Sequence, residues 1–286
     1  MKTATLSLVA IALVLSSPAF AGGSSTNTRG PVRSCSDLQI TFDDEPAAVS
    51  EELLTLAGNE LSTRAADNGG VWVWAEDRGD FAITVCRAAE RSEILPRILA
   101  DLRGTRLAID GPGNDSWVAQ VIVRAPRRSS LHLSVSNGPI AVSGLAGTLN
   151  ATSLNGPITV KKSPGKIDVE AVNGPVSVSG SAGIVRAHTD NGPVNVEAVG
   201  MDWDGQVDAS TTNGPVRLEL PEGFAGTAIV ESKGRSPVKC RHAACRDGSA
   251  SQYWDENGDP RIQIGSGQPV IRLSTRNGPV TVDSAK

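Results

Sequence analysis

The tripeptide Asn-Gly-Pro recurs along the second half of this 286-residue chain at a nearly fixed spacing. Its six copies begin at Asn137, Asn155, Asn173, Asn191, Asn213 and Asn277. The first three intervals are 18 residues each, and the later ones are 22 and 64 residues. A constant period is the signature of a repeat protein, in which each unit stacks on the next. This repeat constrains the fold more than any other feature of the sequence.

Turns aligned on the corner Asn form columns of alternating apolar and polar residues. After one corner, for example, Val176 and Val178 flank Ser177, and before it Ile167 and Val169 keep the same spacing. Alternation with a period of two is typical of strands with one buried face. Each repeat is therefore predicted to be two short strands joined through the Asn-Gly corner. Gly supplies positive φ and the Asn amides can stack as a ladder, so we interpret the six corner Asn as structural.

Two architectures are compatible with such strands. Asn-Gly between alternating segments is a strong hairpin signal, but the following Pro lacks the N–H that closes a hairpin turn. Pro is tolerated where a strand begins, and a constant period favours turns stacked about 4.8 Å apart. We predict an all-β fold, a single-stranded β-solenoid of about 18-residue turns over residues 129–283 with an inserted loop at 241–261.

The segment before the repeats is less regular. Residues 35–128 are predicted to form a β-rich cap, in which Asn68-Gly69-Gly70-Val71 is a relaxed copy of the corner. Ser92 to Arg103 has apolar residues at helical spacing and is predicted to be one short helix. Such a cap would cover the open strand edge of the stack. Residues 22–34 are rich in Gly, Ser, Thr and Pro and are predicted to be a flexible leader.

The first 21 residues have the pattern of a secretory signal peptide. Lys2 provides the positive charge, Leu6 to Leu15 is largely apolar, and Ala19-Phe20-Ala21 is a cleavage site. The apolar stretch is shorter than the about 20 residues that span a bilayer, and no later stretch is long enough. We expect a mature chain without a transmembrane segment, located in the periplasm or secreted.

Four cysteines remain in the expected mature chain, which is an even number. In an exported protein this favours disulfides, and the preferred pairing is Cys35–Cys86 with Cys240–Cys245 because each pair is near in sequence. Zinc is the alternative, although no C-x2-C pair is present and His242 stands alone nearby.

Charge and composition exclude several classes of partner. The formal net charge is −4, and loss of Lys2 with the signal peptide makes it one unit more negative. This acidity argues against binding nucleic acid or anionic lipid, both of which attract basic surfaces. Aromatic residues make up only 3% of the chain, which argues against a long stacking platform for sugars or bases.

Several stretches together resemble a known family. They are Asn68 to Arg78, Val123-Arg124-Ala125-Pro126 leading into Leu131, the repeated Asn-Gly-Pro-Val, Trp203-Asp204-Gly205, and Ser274 to Val280. In order and spacing they are similar to the bacterial putative-adhesin family of unknown function, exported β-repeat proteins related to the head GIN domain. The resemblance covers residues 55–283. It implies a β-solenoid-like fold and an envelope location, and it brings no activity or binding residues.

The sequence contains no recognisable catalytic, cofactor or metal site. Glycoside hydrolysis needs two carboxylates on one face. The columns place Glu170 beside His188, and we predict no column with carboxylates on adjacent turns. With three His residues and no G-x-S-x-G motif, no Ser-His-Asp site is expected. Asp255, Asn257 and Asp259 resemble part of a calcium loop, but the distal Glu is missing, which favours a polar loop.

These observations favour a non-catalytic exported β-solenoid that presents a binding surface to an envelope protein or polysaccharide. The alternatives are a carbohydrate-active β-helix enzyme and a structural envelope scaffold that associates through its end turns. Tyr253 and Trp254 in the predicted insertion are the candidate partner contact, since aromatic residues are preferred interface anchors. The competing interpretation is that the two rings cover the open edge near the last turn.

Overall fold

The structure is a computed structural model that describes residues 24–28, 30–64, 68–113, 116–181, 183–198, 205–224, 226–232, 237–248, 250–266 and 271–285. These residues form three sheets of 12, 11 and 3 strands, which confirms the predicted all-β class. The predicted signal peptide, residues 1–21, lies outside the described residues. Among the helices that are described, all are too short or too polar to cross a membrane.

Ten strands precede the repeats. They are β1 (Ser24–Thr28), β2 (Leu38–Phe42), β3 (Glu45–Pro46), β4 (Ala48–Ala57), β5 (Glu60–Arg64), β6 (Val71–Glu76), β7 (Asp80–Ala89), β8 (Leu99–Arg103), β9 (Arg106–Asp110) and β10 (Trp117–Pro126). Strands β1 to β3 form the small antiparallel sheet. Its Ile40 and Phe42 are buried with Ala88 of β7 and Val118 of β10, so the small sheet covers part of the 11-stranded sheet.

The predicted flexible leader differs from the structure. Ser24–Thr28 is strand β1 and pairs antiparallel with β2. Val32 is buried with Trp72 and Cys86, and its carbonyl oxygen accepts a 2.6 Å hydrogen bond from Trp74 Nε1. The backbone pairing and the burial of Val32 hold these residues against the sheets, which a composition-based prediction does not detect.

The predicted helix over Ser92 to Arg103 is wrong in extent. The structure has a 3-10 helix at Ser92–Arg97, followed by β8, which pairs antiparallel with β9. Pro96 lacks an N–H and disfavours helical backbone at the residue before it, so the turn does not propagate. The apolar spacing was a correct sign of burial, because Ile94 and Ile98 lie in the core. A second 3-10 turn is at Cys35–Asp37.

The regular repeats contribute ten strands that alternate between the two large sheets. They are β11 (Ser130–Asn137), β12 (Ile140–Ser143), β13 (Thr148–Asn155), β14 (Ile158–Lys161), β15 (Lys166–Asn173), β16 (Val176–Ser181), β17 (Ile184–Asn191), β18 (Val194–Ala198), β19 (Gln206–Asn213) and β20 (Val216–Leu220). Odd-numbered strands lie in the 12-stranded sheet and even-numbered strands in the 11-stranded sheet. Each pairs in parallel with its equivalent one repeat later, for example Ile140 with Ile158 and Ile158 with Val176.

The corners stack in register along the molecule. Each corner Asn donates its Nδ2 to the Oδ1 of the Asn on the turn before, at 2.8–3.3 Å, from Asn68 through Asn277. Gly is required at these corners mainly by close approach: a Cβ at Gly174 would collide with the carbonyl oxygen of Gly156. Gly174 itself does not lie in the left-handed region, so the predicted positive φ does not hold there.

The C-terminal part adds six strands and one short helix. They are β21 (Ala228–Ser232), β22 (Val238–Cys240), α1 (Ala243–Arg246), β23 (Ala250–Trp254), β24 (Pro260–Ile264), β25 (Ile271–Asn277) and β26 (Val280–Ser284). The two large sheets share one hydrophobic core, which extends from Leu61 to Val282. The predicted insertion at 241–261 contains α1, β23 and the start of β24.

The order of the turns in space departs from the order in the chain at both ends. The last turn, β25 and β26, lies between the β19–β20 turn and the β21–β22 turn. At the other end, β5 and β6 lie between β9–β10 and β11–β12. The final turn in the chain is therefore not the final turn of the stack.

Candidate functional site

A β-hairpin ends the 12-stranded sheet at its C-terminal side. Strands β23 and β24 pair antiparallel, with Tyr253 opposite Arg261 and Trp254 opposite Pro260. Strand β24 pairs with β21, so the hairpin backbone covers the edge that β21 would otherwise expose. Among the described strands, β23 is then the edge of the sheet.

The two aromatic side chains of this hairpin remain accessible. Trp254 is 68% exposed and Tyr253 is 39% exposed. The predicted cap and the predicted contact site thus occur in one element, because the backbone covers the sheet edge while the rings face solvent. Beside the rings lies a groove of about 550 Å³, whose lining residues are Pro237, Val238, Gln252, Tyr253, Trp254, Pro260, Arg261 and Ile262.

Charged groups hold the hairpin turn in place. Asp255 Oδ1 accepts backbone N–H groups of Asp259 and Asn257, both at 2.9 Å. The Arg261 guanidinium lies 3.2 Å from Asp255 Oδ2 and 3.3 Å from Glu231 Oε1. The backbone N–H of Asp259, with those of Asn257 and the charge of Arg261, keeps the pKa of Asp255 below its ordinary value. The Asp255 carboxylate therefore shapes the turn, as the polar-loop interpretation predicts.

The cysteines next to the hairpin form a disulfide. Both preferred pairings, Cys35–Cys86 and Cys240–Cys245, are confirmed. His242 is buried and bonded through both ring nitrogens, since Nδ1 accepts the N–H of Ala244 at 3.2 Å and Nε2 donates to the Pro221 carbonyl at 2.8 Å. The zinc alternative is wrong because its ligand atoms are already used. No cluster of three or more His, Cys, Asp or Glu suited to a metal occurs in the described part of the chain.

Three carboxylates stand in one column on the outer face of the 11-stranded sheet. Glu197 is paired with Glu219 on the next strand, and Glu219 with Asp283 on the one after it. The prediction that no column has carboxylates on adjacent turns is therefore wrong. All three lie six residues after a corner Asn. Alignment on the corner Asn places them in one column, so this signal was present in the sequence.

Arginines neutralise most of this acidic column. Arg217 Nη2 lies 3.1 Å from Glu219 Oε1, and its Nε lies 3.0 Å from Asp283 Oδ2. Arg241 Nε is 3.1 Å from the other oxygen of Asp283. Glu219 and Asp283 are thus members of an ion-pair network with two arginines on the sheet face.

A Ser-His-Asp cluster, which the sequence did not predict, lies on the outer face of the 12-stranded sheet. His188 Nδ1 is 2.9 Å from Ser210 Oγ, and Nε2 is 3.4 Å from Asp190 Oδ1. The stacking of β17 on β19 brings these side chains together. Both strands are paired on both sides, so their backbone N–H groups serve the ladder and do not form an oxyanion hole. The cluster is best explained as a polar surface network.

Comparison with known proteins finds likeness only among solved structures. No family model matches the chain, and no curated protein matches it. A putative cell adhesion protein from Clostridium sporogenes is 12% identical, with 83% of this chain and 100% of that chain aligned at a TM-score of 0.34. A putative adhesin from Bacteroides fragilis is 12% identical, with 83% and 97% aligned at 0.35. A putative lipid binding protein from Parabacteroides distasonis is 14% identical, with 83% and 97% aligned at 0.24.

Proposed function

We propose that the protein is an exported, non-catalytic β-solenoid that presents a binding surface to an envelope or extracellular partner. Parallel pairing of strands one repeat apart and a core shared by both large sheets support the solenoid. The signal-peptide pattern and the two disulfides support export, because disulfides persist in oxidising compartments. The sequence resemblance to the putative-adhesin family and the head GIN domain agrees with this proposal.

The observation that carries the binding role is the exposure of Trp254 beside Tyr253 on the last strand of a sheet. Large exposed aromatic side chains are costly to leave in water and are common anchors at interfaces. The adjacent groove can receive an apolar group of the partner. Arg261 is held by two carboxylates, so the groove wall is already ordered.

The hairpin also provides a means of main-chain recognition. Strand β23 has one edge paired with β24, and no described strand pairs with its other edge. An extended segment of a partner can add to such an edge, with backbone hydrogen bonds for affinity and side-chain contacts for specificity. Trp254 and Tyr253 would contribute those contacts.

The scaffold alternative is favoured by one observation at the opposite end of the molecule. Strand β4 is the other edge of the 11-stranded sheet, and its Leu53 is 72% exposed and its Val49 is 52% exposed. An apolar edge strand is a template for association between copies. Sedimentation at increasing concentration tests this alternative, and a chain that remains monomeric would rule it out.

The test of the proposed function compares a double variant, which carries both Tyr253→Ala and Trp254→Ala, with the single variant Leu154→Ala. Leu154 is also exposed but lies in the middle of the 12-stranded sheet. We expect the double variant to melt within a few degrees of the unmodified protein and to lose capture of the partner from bacterial envelope extract. The Leu154 variant should retain capture. If the double variant melts much lower or aggregates, the rings belong to the cap and the hairpin site is wrong.

A further inference from the structure

A second groove lies on the outer face of the 11-stranded sheet, whereas the hairpin belongs to the 12-stranded sheet. Its floor is formed by Trp74 of β6, Ala141 and Ser143 of β12, and Thr159 of β14, and the backbone of residues 30–32 forms one wall. The groove has a volume of about 530 Å³. Strands β14, β12 and β6 are neighbours in the middle of this sheet, at the sixth to eighth of its eleven positions.

The indole of Trp74 is held in position without any ligand. Its Nε1 donates a 2.6 Å hydrogen bond to the carbonyl oxygen of Val32. The guanidinium carbon of Arg33 lies 4.2 Å from the ring centroid, which is a cation–π contact. A binding surface whose aromatic floor is already fixed loses little conformational freedom when a ligand binds.

Two lysines stand at the rim of this groove. Lys161 and Lys162 are both exposed, and no carboxylate of a described residue pairs with either ammonium group. The chain as a whole has a formal net charge of −4, and arginines on the sheet faces such as Arg186 and Arg217 are paired with carboxylates. This groove is therefore a local concentration of unpaired positive charge beside an aromatic ring.

The backbone at Lys162 gives a second, independent sign of function. Its φ is +50°, in the left-handed region. The equivalent positions one turn before and one turn after are Gly144, with φ +81°, and Gly180, with φ +66°. Glycine adopts this conformation without strain and lysine does not. The chain thus has a strained lysine at the groove where the neighbouring turns have glycine.

The polar groups of the floor indicate the class of ligand. The hydroxyls of Ser143 and Thr159 have no hydrogen-bond partner in the described part of the chain. An acyl chain would bury these hydroxyls unpaired, which is unfavourable. A peptide strand adds to sheet edges, and this groove lies on a sheet face. A chain of sugar rings with carboxylates satisfies the hydroxyls, the lysines and the flat face of Trp74 together.

We propose that this groove binds an acidic polysaccharide. The Lys161 and Lys162 ammonium groups bind sugar carboxylates, the Ser143 and Thr159 hydroxyls bond to sugar hydroxyls, and one sugar ring packs on Trp74. This site is separate from the proposed hairpin site, and the two can succeed or fail independently.

The experiment titrates oligogalacturonate into a protein of residues 22–286, the chain expected after removal of the signal peptide. Tryptophan fluorescence and the heat of binding are measured. The variant Lys161→Gln with Lys162→Gly should bind about tenfold more weakly, because it loses two charge-assisted contacts. Its melting temperature should not fall, since a glycine in place of Lys162 relieves the left-handed strain. The control Lys166→Gln removes one lysine from the other sheet and should bind like the unmodified chain.

Dextran, a neutral polymer, should bind much more weakly than oligogalacturonate. Equal affinity for both polymers, an unchanged affinity in the Lys161 and Lys162 variant, or an equal loss in the Lys166 control would each overturn the proposal. Absence of oligogalacturonate binding to the unmodified chain would do the same. The variant with Tyr253→Ala and Trp254→Ala should still bind the oligosaccharide, so that failure at one site is distinguished from failure at the other.

Discussion

The central turns, residues 130–220, and the two ends of the stack differ in which strands pair with each other. In the centre, each strand pairs with its equivalent from the next repeat, so the order in space is the order in the chain. At each end, one turn is distant in the chain from its neighbours in space. Strands β5 and β6 lie beside β11 and β12, and β25 and β26 lie beside β19 and β20. A short period determines the centre through local pairing, whereas the ends depend on long-range complementarity between turns.

The placement of the C-terminal turn, β25 and β26, beside β19 and β20 has a physical basis. Asn277 donates to Asn213 at 2.8 Å, and Thr275 Oγ1 donates to the Gly214 carbonyl at 2.9 Å. Arg272 stands opposite Asp208, a pairing of opposite charges. The connection between β21 and β22 contains no Asn and cannot continue the amide ladder. The last turn therefore fits beside β19 better than the turn that follows β20 in the chain.

The largest expected effect tests whether centre and end share one core. Val178 of the central strand β16 and Val282 of β26, in the last turn of the chain, are both buried. Val178→Asp and Val282→Asp should each lower the free energy of unfolding by about 3 kcal/mol or more, because each buries an unpaired carboxylate. Thermal midpoints measure this. The control Ser177→Asp on the outer face should cost less than about 0.5 kcal/mol. A much smaller loss of stability at Val282 would mean that the turn formed by β25 and β26 is a separate, less stable unit.

The next effect tests close packing at the central corners. Gly174→Val should lower the free energy of unfolding by about 1–3 kcal/mol, because its side chain would collide with the Gly156 carbonyl. Gly79→Val is the matched control, since nothing lies within 4 Å of a Cβ there. Circular dichroism melting compares the two. If the Gly174 variant is as stable as the control, adjacent turns are not in close contact at this corner.

A smaller effect compares the Asn ladder in the centre with its end. Asn173 bonds to Asn155 and Asn191, whereas Asn277 donates to Asn213 and no Asn follows it in the ladder. At about 0.5 kcal/mol for each exposed bond, Asn173→Ala should cost about 1 kcal/mol and Asn277→Ala about half as much. Chemical denaturation resolves this difference. A larger loss for Asn277→Ala than for Asn173→Ala would show that the ladder stabilises the β25–β26 turn more than the central turns.

The smallest effect concerns the hairpin at the C-terminal end in acid. The pKa of Asp255 is lowered in the folded protein from an ordinary value of 3.8. Its contribution to the hairpin is therefore complete above pH 3.8 and is lost as the pH falls through the lower, folded pKa. Tryptophan fluorescence of the hairpin should change in that range, and Asp255→Asn should remove the change. A pH response that is the same in both proteins would mean that another group is responsible.

For the candidate sites, the sequence singled out two residues but not the surroundings in which they lie. Tyr253 and Trp254 were predicted as a contact from their rarity and their place in an insertion, and the structure places them on an exposed edge strand. The acidic column from Glu197 to Asp283 was missed, although alignment on the corner Asn places its members together. The groove at Trp74 was also missed, because it joins residues 30–33 to Lys161 and Lys162, which no local pattern connects.

By itself the sequence determined what depends on neighbouring residues: strand alternation, the corners, the class of fold and the pairing of cysteines that are near in sequence. These follow from backbone conformation and from the burial of one strand face, which act over a few residues. Only the tertiary structure decided which turn fills the places beside β11 and β19, and that Val32 and its neighbours cover the sheet. Many turns carry similar apolar columns, so the choice among them rests on corner amides, charges and close contacts that exist only once the turns are stacked.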